Sequence, residues 1–389
     1  MIYDFDKIID RRNTNSLKYD FAQERGRPKD ILPLWVADMD FRAPDEVVSV
    51  LKEKSEHGIF GYSEPKKEYF DALVHWFVKR HDWNPQADKF VLSCGVVYAI
   101  CTLIRILTQE GDGVLICQPV YYPFEESIVA NRRKLVVSRL VNDNGEYSVD
   151  FEDFERKITE NGVKLFILCN PHNPVGRVWT KAELETMGDI CLKHGVFVIS
   201  DEIHSDFIAE GYTHTVFSTV KPSFEKNCAV CTAPTKTFNL AGLHIANIYI
   251  PDDAVRGEYK KELCRQGFSQ SNVMGIVACQ AAYSYGESWL EQLKAYLKGN
   301  VDYVKAFLRE ELPQIRLTEP QGTYLLWLDF SSYGFSNAAL KKLIIEKAGL
   351  WLDDGYIFGA GGSGFERINI ACPRAILKEA MRRLKRALE

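Results

Sequence analysis

Three short stretches of this chain carry side chains that could act on one molecule together: Asn170-Pro-His-Asn173-Pro, Ser200-Asp201-Glu202, and the single lysine of CTAPTKTFNLAG, Lys236. A carboxylate held near a cationic ring nitrogen keeps its proton in place and lets the ring withdraw electrons, and a nearby amine can serve as base or nucleophile. Each stretch alone has a plainer reading. Loop lysines are normally solvated, an aspartate after a strand can cap a helix, and two prolines can enforce a tight turn. Their meaning depends on whether the fold brings them to one place.

The elements around them suggest that it does. Apolar runs recur as GDGVLICQP, KLVVSRL, KLFILCNP, VFVISDE and NCAVCTA, continuous enough for strands covered on both faces of a parallel sheet. Between the third and fourth lies a helix, marked by Thr180 and Glu183 at capping-box spacing, by the stripe Leu184, Met187 and Cys191, and by Gly195 at its end. A βαβ crossover makes its two strands parallel, so Asn173 and Asp201 leave the sheet at the same edge, where ligands of open α/β sheets bind. If NCAVCTA is a third parallel strand, Lys236 arrives there too. LHIANIYIP alternates like a further strand, which puts Lys236 on a short connection and not in a helix. GAGGSG (359–364) runs into a strand-like segment and reads as a turn. Toward the C-terminus GTYLLWLDF, ERINIAC and a helix opening at Pro373, with Ile376, Leu377, Ala380, Met381, Leu384 and Leu388 on one face, predict a smaller α+β domain.

Composition narrows the class. At 389 residues, 46% hydrophobic and 26% charged, the chain fits an ordinary globular enzyme, and a formal net charge of -5 gives no footprint for nucleic acid. No apolar run is long enough for a membrane span, and the charges in MIYDFDKIIDRRNTNSLKYDF argue against a secretory leader, so a cytoplasmic location is expected. The ten cysteines are scattered as reduced, buried thiols would be, and Cys228 and Cys231 fall inside a strand-like run where a redox CxxC is not expected. No metal is expected.

Taken in order, GVVYA, QPVYYPF, NPHNPVG, SDEIH, TKTFNLAGLH, PQGTYLLW and RINIACPR make the chain resemble a fold-type I pyridoxal-phosphate enzyme of the aminotransferase class I/II superfamily, over nearly its whole length. The resemblance implies an aspartate aminotransferase-like α/β fold. Residues 1–45 would form an N-terminal arm and part of the small domain, 46–285 a large pyridoxal-phosphate-binding domain with a mostly parallel sheet, and 286–389 the small α+β domain. It also implies roles. Lys236 would hold pyridoxal 5'-phosphate as an internal aldimine, Asp201 pair with the pyridine nitrogen, Asn173 bond the phenolic oxygen, and Tyr121 stack on the ring, with His204 on the cofactor side. Gly95, Val96 and Val97 at a helix N-terminus, with Thr235, would hold the phosphate. Arg367 would grip the substrate carboxylate, and Trp35, Tyr121 and Tyr324 would line the side-chain pocket. The site would lie at a homodimer interface, with Tyr62 of GIFGYSEP lent to the partner's phosphate, and Asn173-Pro174 is expected to be cis.

LPLWVADMDF and DEIHSD, with His204 three residues after the aspartate, are similar to the cystathionine β-lyase (C-S lyase) branch. That branch implies β-elimination of L-cystathionine, and of L-cysteine, to thiol, pyruvate and ammonia, with Lys236 as general base. Ala233 and His244 depart from the wider pattern, which often has serine and arginine there, so the phosphate site departs with them. The alternatives are an aminotransferase and, from another class, a non-catalytic pyridoxal-phosphate-binding regulator.

Overall fold

Alternate residues of the buried strands belong to two different apolar cores, as a sheet covered on both faces requires. In the computed structural model, which describes residues 2–389, Val114 and Ile116 pack into one core and Leu115 and Cys117 into the other, and Leu165 and Ile167 face away from Phe166 and Leu168 in the same manner. The sheet has seven strands: β1 (Phe90–Ser93), β2 (Gly113–Gln118), β3 (Lys134–Arg139), β4 (Val163–Cys169), β5 (Phe197–Asp201), β6 (Cys228–Thr232) and β7 (Ala246–Tyr249). Their spatial order is β1-β7-β6-β5-β4-β2-β3. Only β7 runs against its neighbours; every other pairing is parallel.

Two helices set the sheet's faces. α1 (Val96–Leu107) lies across β1, β4, β5, β6 and β7, burying Ala99, Ile100, Leu103 and Ile104. α2 (Lys181–Lys193) is the crossover between β4 and β5, and its reciprocal Thr180–Glu183 capping box forms as the spacing predicts. Gly188 of α2 is held by packing, since a Cβ there would lie 2.3 Å from the Phe224 ring.

A short helix, α3 (Pro234–Thr237), carries Lys236, which corrects the expectation of a non-helical connection. Pro234 stands in its first turn, where a preset φ and a missing N–H suit a helix start. A long helix, α4 (Glu287–Glu311), precedes a second sheet of β8 (Arg316–Leu317), β9 (Leu325–Asp329), β10 (Asp353–Asp354) and β11 (Phe365–Asn369), in spatial order β8-β9-β11-β10 and antiparallel throughout. The last helix, α5 (Arg374–Leu388), buries Leu377, Ala380, Met381 and Leu384 on its predicted face. Leu32–Pro33 pairs in parallel with Leu350–Trp351 as a separate two-stranded sheet, which ties the N-terminal segment to the chain just before β10. No described helix is long and apolar enough to cross a membrane.

Candidate active site

The register of three central strands brings the polar stretches level. Cys169 of β4 stands opposite Asp201 of β5, which stands opposite Cys231 of β6. The connections then knit together, with Asn170 N donating to Asp201 O at 2.9 Å and Glu202 N to Cys231 O at 2.9 Å. Because β1 and β2 run in the same direction as these strands, Gly95 and Tyr121 leave the sheet at this edge as well. Five strand ends therefore deliver Gly95, Tyr121, Asn173, Asp201 and Lys236 to one crevice.

Asp201 is 5% exposed, and among the described residues the one hydrogen bond to its carboxylate is from Ile203 N at 3.1 Å. Burial pushes its pKa up to about 7, against the pull of that N–H and of Lys236. Lys236 Nζ donates to the Ala37 carbonyl at 2.8 Å, and burial lowers the amine to about 8, with Asp38 and Asp201 opposing and Arg367 reinforcing the shift. Tyr324 OH donates to the same carbonyl at 3.0 Å and its ring packs against His204. His204 is buried, its Nδ1 is unpartnered, and burial together with the Lys236 and Arg367 cations keeps it neutral. A carboxylate this short of donors calls for a cation, and an amine this depressed is a base or nucleophile near neutral pH.

Arg367 reaches the crevice from β11. Its Nη1 donates to Asn173 Oδ1 at 3.0 Å, its Nη2 donates to the Trp35 carbonyl at 2.9 Å and to Asp353, and Phe358 lies under the guanidinium at 4.9 Å. The bond to Asn173 joins β11 to the end of β4 across the site. Burial pushes the Tyr121 phenol above its ordinary range, and the charges of Arg367, Asp201 and Asp353 all act on it. No side chain caps the first turn of α1, and a Cβ at Gly95 would touch nothing, which leaves the Val96 and Val97 amides open to an anion. Thr235 lies in α3 beside the lysine, and Asn173-Pro174 is cis, as expected.

Two residues sit differently. The Trp35 ring, expected to line the pocket, stacks on Trp351 at 4.5 Å against a small core with Ala22 and Ile31, and its backbone carbonyl meets Arg367. The parallel pairing of Leu32–Pro33 with Leu350–Trp351 sets the two indoles side by side. Tyr62 is 97% exposed in an irregular segment that also displays Ile59 and Phe60. It takes no part in its own chain's cluster.

Much of the site's support was not singled out from the sequence. Residues 34–41 form a strap with little regular structure, whose backbone is satisfied by two asparagines. Asn369 of β11 donates to the carbonyls of Val36 at 2.7 Å and Asp38 at 2.6 Å. Asn239, just beyond Lys236, donates to Met39 O and Phe41 O and accepts from Met39 N. Beneath the strap, Arg11 grips Asp38 with two bonds and also reaches Asp40, while Lys18, 0% exposed, donates to Asp40 at 2.9 Å. On the other side of α3, Thr237 Oγ1 donates to Asp206 at 2.7 Å. Although burial opposes it, His81 and Arg80 hold Asp206 down at about 2. WVADMDF and TFNLAG contain four of these side chains, Asp38, Asp40, Thr237 and Asn239, but only the folded chain reveals that one stretch holds the other. Among the described residues no cluster of His, Cys, Asp or Glu could hold a metal ion.

Comparison with known proteins agrees with this arrangement. The family model described as "Aminotransferase class I and II" matches residues 29–384. The chain is 43% identical to cystathionine beta-lyase PatB of Bacillus subtilis (strain 168), over 99% of each protein. It superposes on cystalysin from Treponema denticola, a crystal structure that contains a pyridoxal 5'-phosphate cofactor, with a TM-score of 0.96 at 38% identity, covering 100% of this chain and 99% of that one. It also superposes on the PLP-bound C-S lyase from Staphylococcus hominis with a TM-score of 0.94 at 35% identity, over 100% and 98% of the two chains. With the model matched over most of its length and its strands, lysine and arginine arranged as described, the chain belongs to the aminotransferase class I and II family.

Proposed function

We propose that this protein is a pyridoxal-phosphate-dependent carbon-sulfur lyase that cleaves L-cystathionine, and L-cysteine, to a thiol, pyruvate and ammonia. The observation that carries the reading is the pairing, on adjacent strand ends, of a buried carboxylate lacking a cation with an amine lowered to about 8. The donor set fits the cofactor. Asp201 would hold the protonated ring nitrogen, and the open first turn of α1 with Thr235 would hold the phosphate. Asn173 would meet the phenolic oxygen, and Tyr121 and the neutral His204 would flank the ring. Bound pyridoxal phosphate supplies an electron sink for the negative charge that develops at substrate Cα, which lets a thiolate depart from Cβ.

The chain's own residues do the rest. Arg367 binds the substrate carboxylate and fixes which Cα bond faces the lysine. Lys236 Nζ removes the Cα proton; its depressed basicity makes the neutral amine available near neutral pH, and in the cofactor-free chain the Ala37 carbonyl accepts its hydrogen bond. Asp201 keeps its partner protonated as charge develops. The lyase assignment over transamination follows the names of the relatives, cystathionine beta-lyase and C-S lyase.

The partner surface is proposed to be a second copy of the chain. Ile59, Phe60 and Tyr62 are exposed beside the 267–274 segment, and a homodimer would cover them and lend Tyr62 to the other site. Ten free cysteines, seven of them buried, suit a reducing, cytoplasmic setting. The test is to incubate the cofactor-loaded protein with L-cystathionine alone, and separately with an amino acid and 2-oxoglutarate. Pyruvate with free thiol in the first supports the lyase. Glutamate in the second without pyruvate in the first makes it an aminotransferase, and no product in either refutes a catalytic role.

A further inference from the structure

Arg367 meets the crevice with its best donors taken. A guanidinium makes two parallel bonds to a carboxylate along one of two edges, Nε with Nη2 or Nη1 with Nη2. Both edges need Nη2, and both Nη2 hydrogens are committed, one to the Trp35 carbonyl and one to the Asp353 carboxylate. Nε is buried and has no hydrogen-bond partner among the described residues, so the Nε edge is half prepared. A ligand carboxylate can complete it only by displacing one of the two acceptors. The Trp35 carbonyl belongs to the strap, where Asn369 pins the Val36 and Asp38 carbonyls. Asp353 is a side chain and can leave by turning about χ1.

The register puts Asp353 in that place. It is the direct cross-strand partner of Arg367 between β10 and β11, and it is 5% exposed. The groups that act on it are Arg367 and Glu366 of β11, Asp354 of its own strand with Lys341 beyond, and Tyr121 and Tyr122 after β2. Arg367 is the only cation bonded to it among the described residues.

We propose that Asp353 is a built-in competitor for Arg367, which a substrate carboxylate must displace in order to dock, and that it thereby sets the affinity and pH dependence of carboxylate binding. The inference rests on Arg367 being the carboxylate site. Asp353 acts through the arginine and not on the substrate. When a ligand carboxylate arrives, two carboxylates would share one guanidinium unless Asp353 takes up a proton. Burial already holds Asp353 at about 6 against the pull of Arg367, so the proton is within reach. Binding should therefore strengthen as pH falls from 8 toward 6, where Asp353 becomes neutral, while the ligand stays ionised.

The experiment measures binding of 3-(methylthio)propanoate, a thioether acid without an amino group, to the cofactor-loaded protein by calorimetry in buffers of different ionisation enthalpy. Asp353→Asn is expected to bind it about tenfold more tightly at pH 8, the lower range for a hydrogen bond to a charged group. The wild-type protein should take up a proton on binding and gain affinity toward pH 6, and the variant should do neither. With L-cystathionine the variant should lower KM more than it alters kcat. Asp302→Asn, on α4 and paired with Lys298 away from Arg367, should leave the affinity for the acid unchanged. Equal or weaker binding by Asp353→Asn, with the wild-type pH dependence retained, means that Asp353 only props Arg367 and overturns the proposal. The wild-type proton uptake is an independent check should the variant not fold, and its absence has the same force. If the wild-type protein binds no acid and releases no pyruvate from L-cystathionine, the functional reading falls and this one with it.

Discussion

Replacing Asp201 with asparagine should make the cofactor-free protein more stable and its hold on the cofactor weaker. In the folded chain burial lifts this carboxyl from 3.8 to about 7, because one backbone N–H and a neighbouring lysine do not offset the loss of water. Between those two values the folded protein keeps a proton that the unfolded chain has released, so stability falls as pH rises through the window. About three pKa units at about 1.4 kcal/mol each give a loss of up to about 4 kcal/mol by pH 8. Asp201→Asn keeps an acceptor for Ile203 N–H and carries no charge, so it escapes that loss. Urea unfolding of both cofactor-free proteins, at one protomer concentration and at pH 4, 6 and 8, measures the difference. The variant should match the wild type near pH 4 and exceed it by a few kcal/mol at pH 8, and added pyridoxal phosphate should stabilise the wild type more. Equal slopes for the two proteins between pH 4 and 8 would refute the claim that Asp201 is held at the site against its own solvation.

Two further outcomes follow from the lysine and its strap. In the cofactor-free protein, labelling of Lys236 by an amine-directed reagent should be half-maximal near pH 8, since burial disfavours the charged amine, and Asp38→Asn should move that midpoint lower; a midpoint near 10.5 by mass spectrometry of the labelled peptide would contradict the assignment. Lys18→Met leaves Asp40 buried with Arg11 and Tyr19 but without its enclosed cation, and should cost about 3 kcal/mol in denaturant unfolding, the lower end for breaking a buried pair.

The central sheet was legible because its strands are buried on both faces and read as unbroken apolar runs, and because the Thr180–Glu183 box marks the crossover that makes them parallel. From there the placing of Asn173 and Asp201 followed by topology, and that of Lys236 on the condition that NCAVCTA is a third parallel strand, which it is. The helical turn around Lys236 was missed because four residues are too few for periodicity to show. The stacking of the Trp35 ring could not be read because its partner, Trp351, lies more than three hundred residues away in the chain. Asp353 and Asn369 escaped notice for a related reason. Their significance lies in cross-strand register and in the irregular strap they meet, and neither leaves a local pattern in sequence.

The strap has a consequence for how the protein is made. The Ala37 carbonyl that receives Lys236 lies among residues secured by Asn369 and by the bond from Asp40 N to Ala371 O. All seven strands of the large sheet lie between residues 90 and 249. Those strands precede Asn369 and Ala371 in order of synthesis, so the strap's last bonds can close only once nearly the whole chain has been made, whereas Asn239 can hold Met39 and Phe41 earlier.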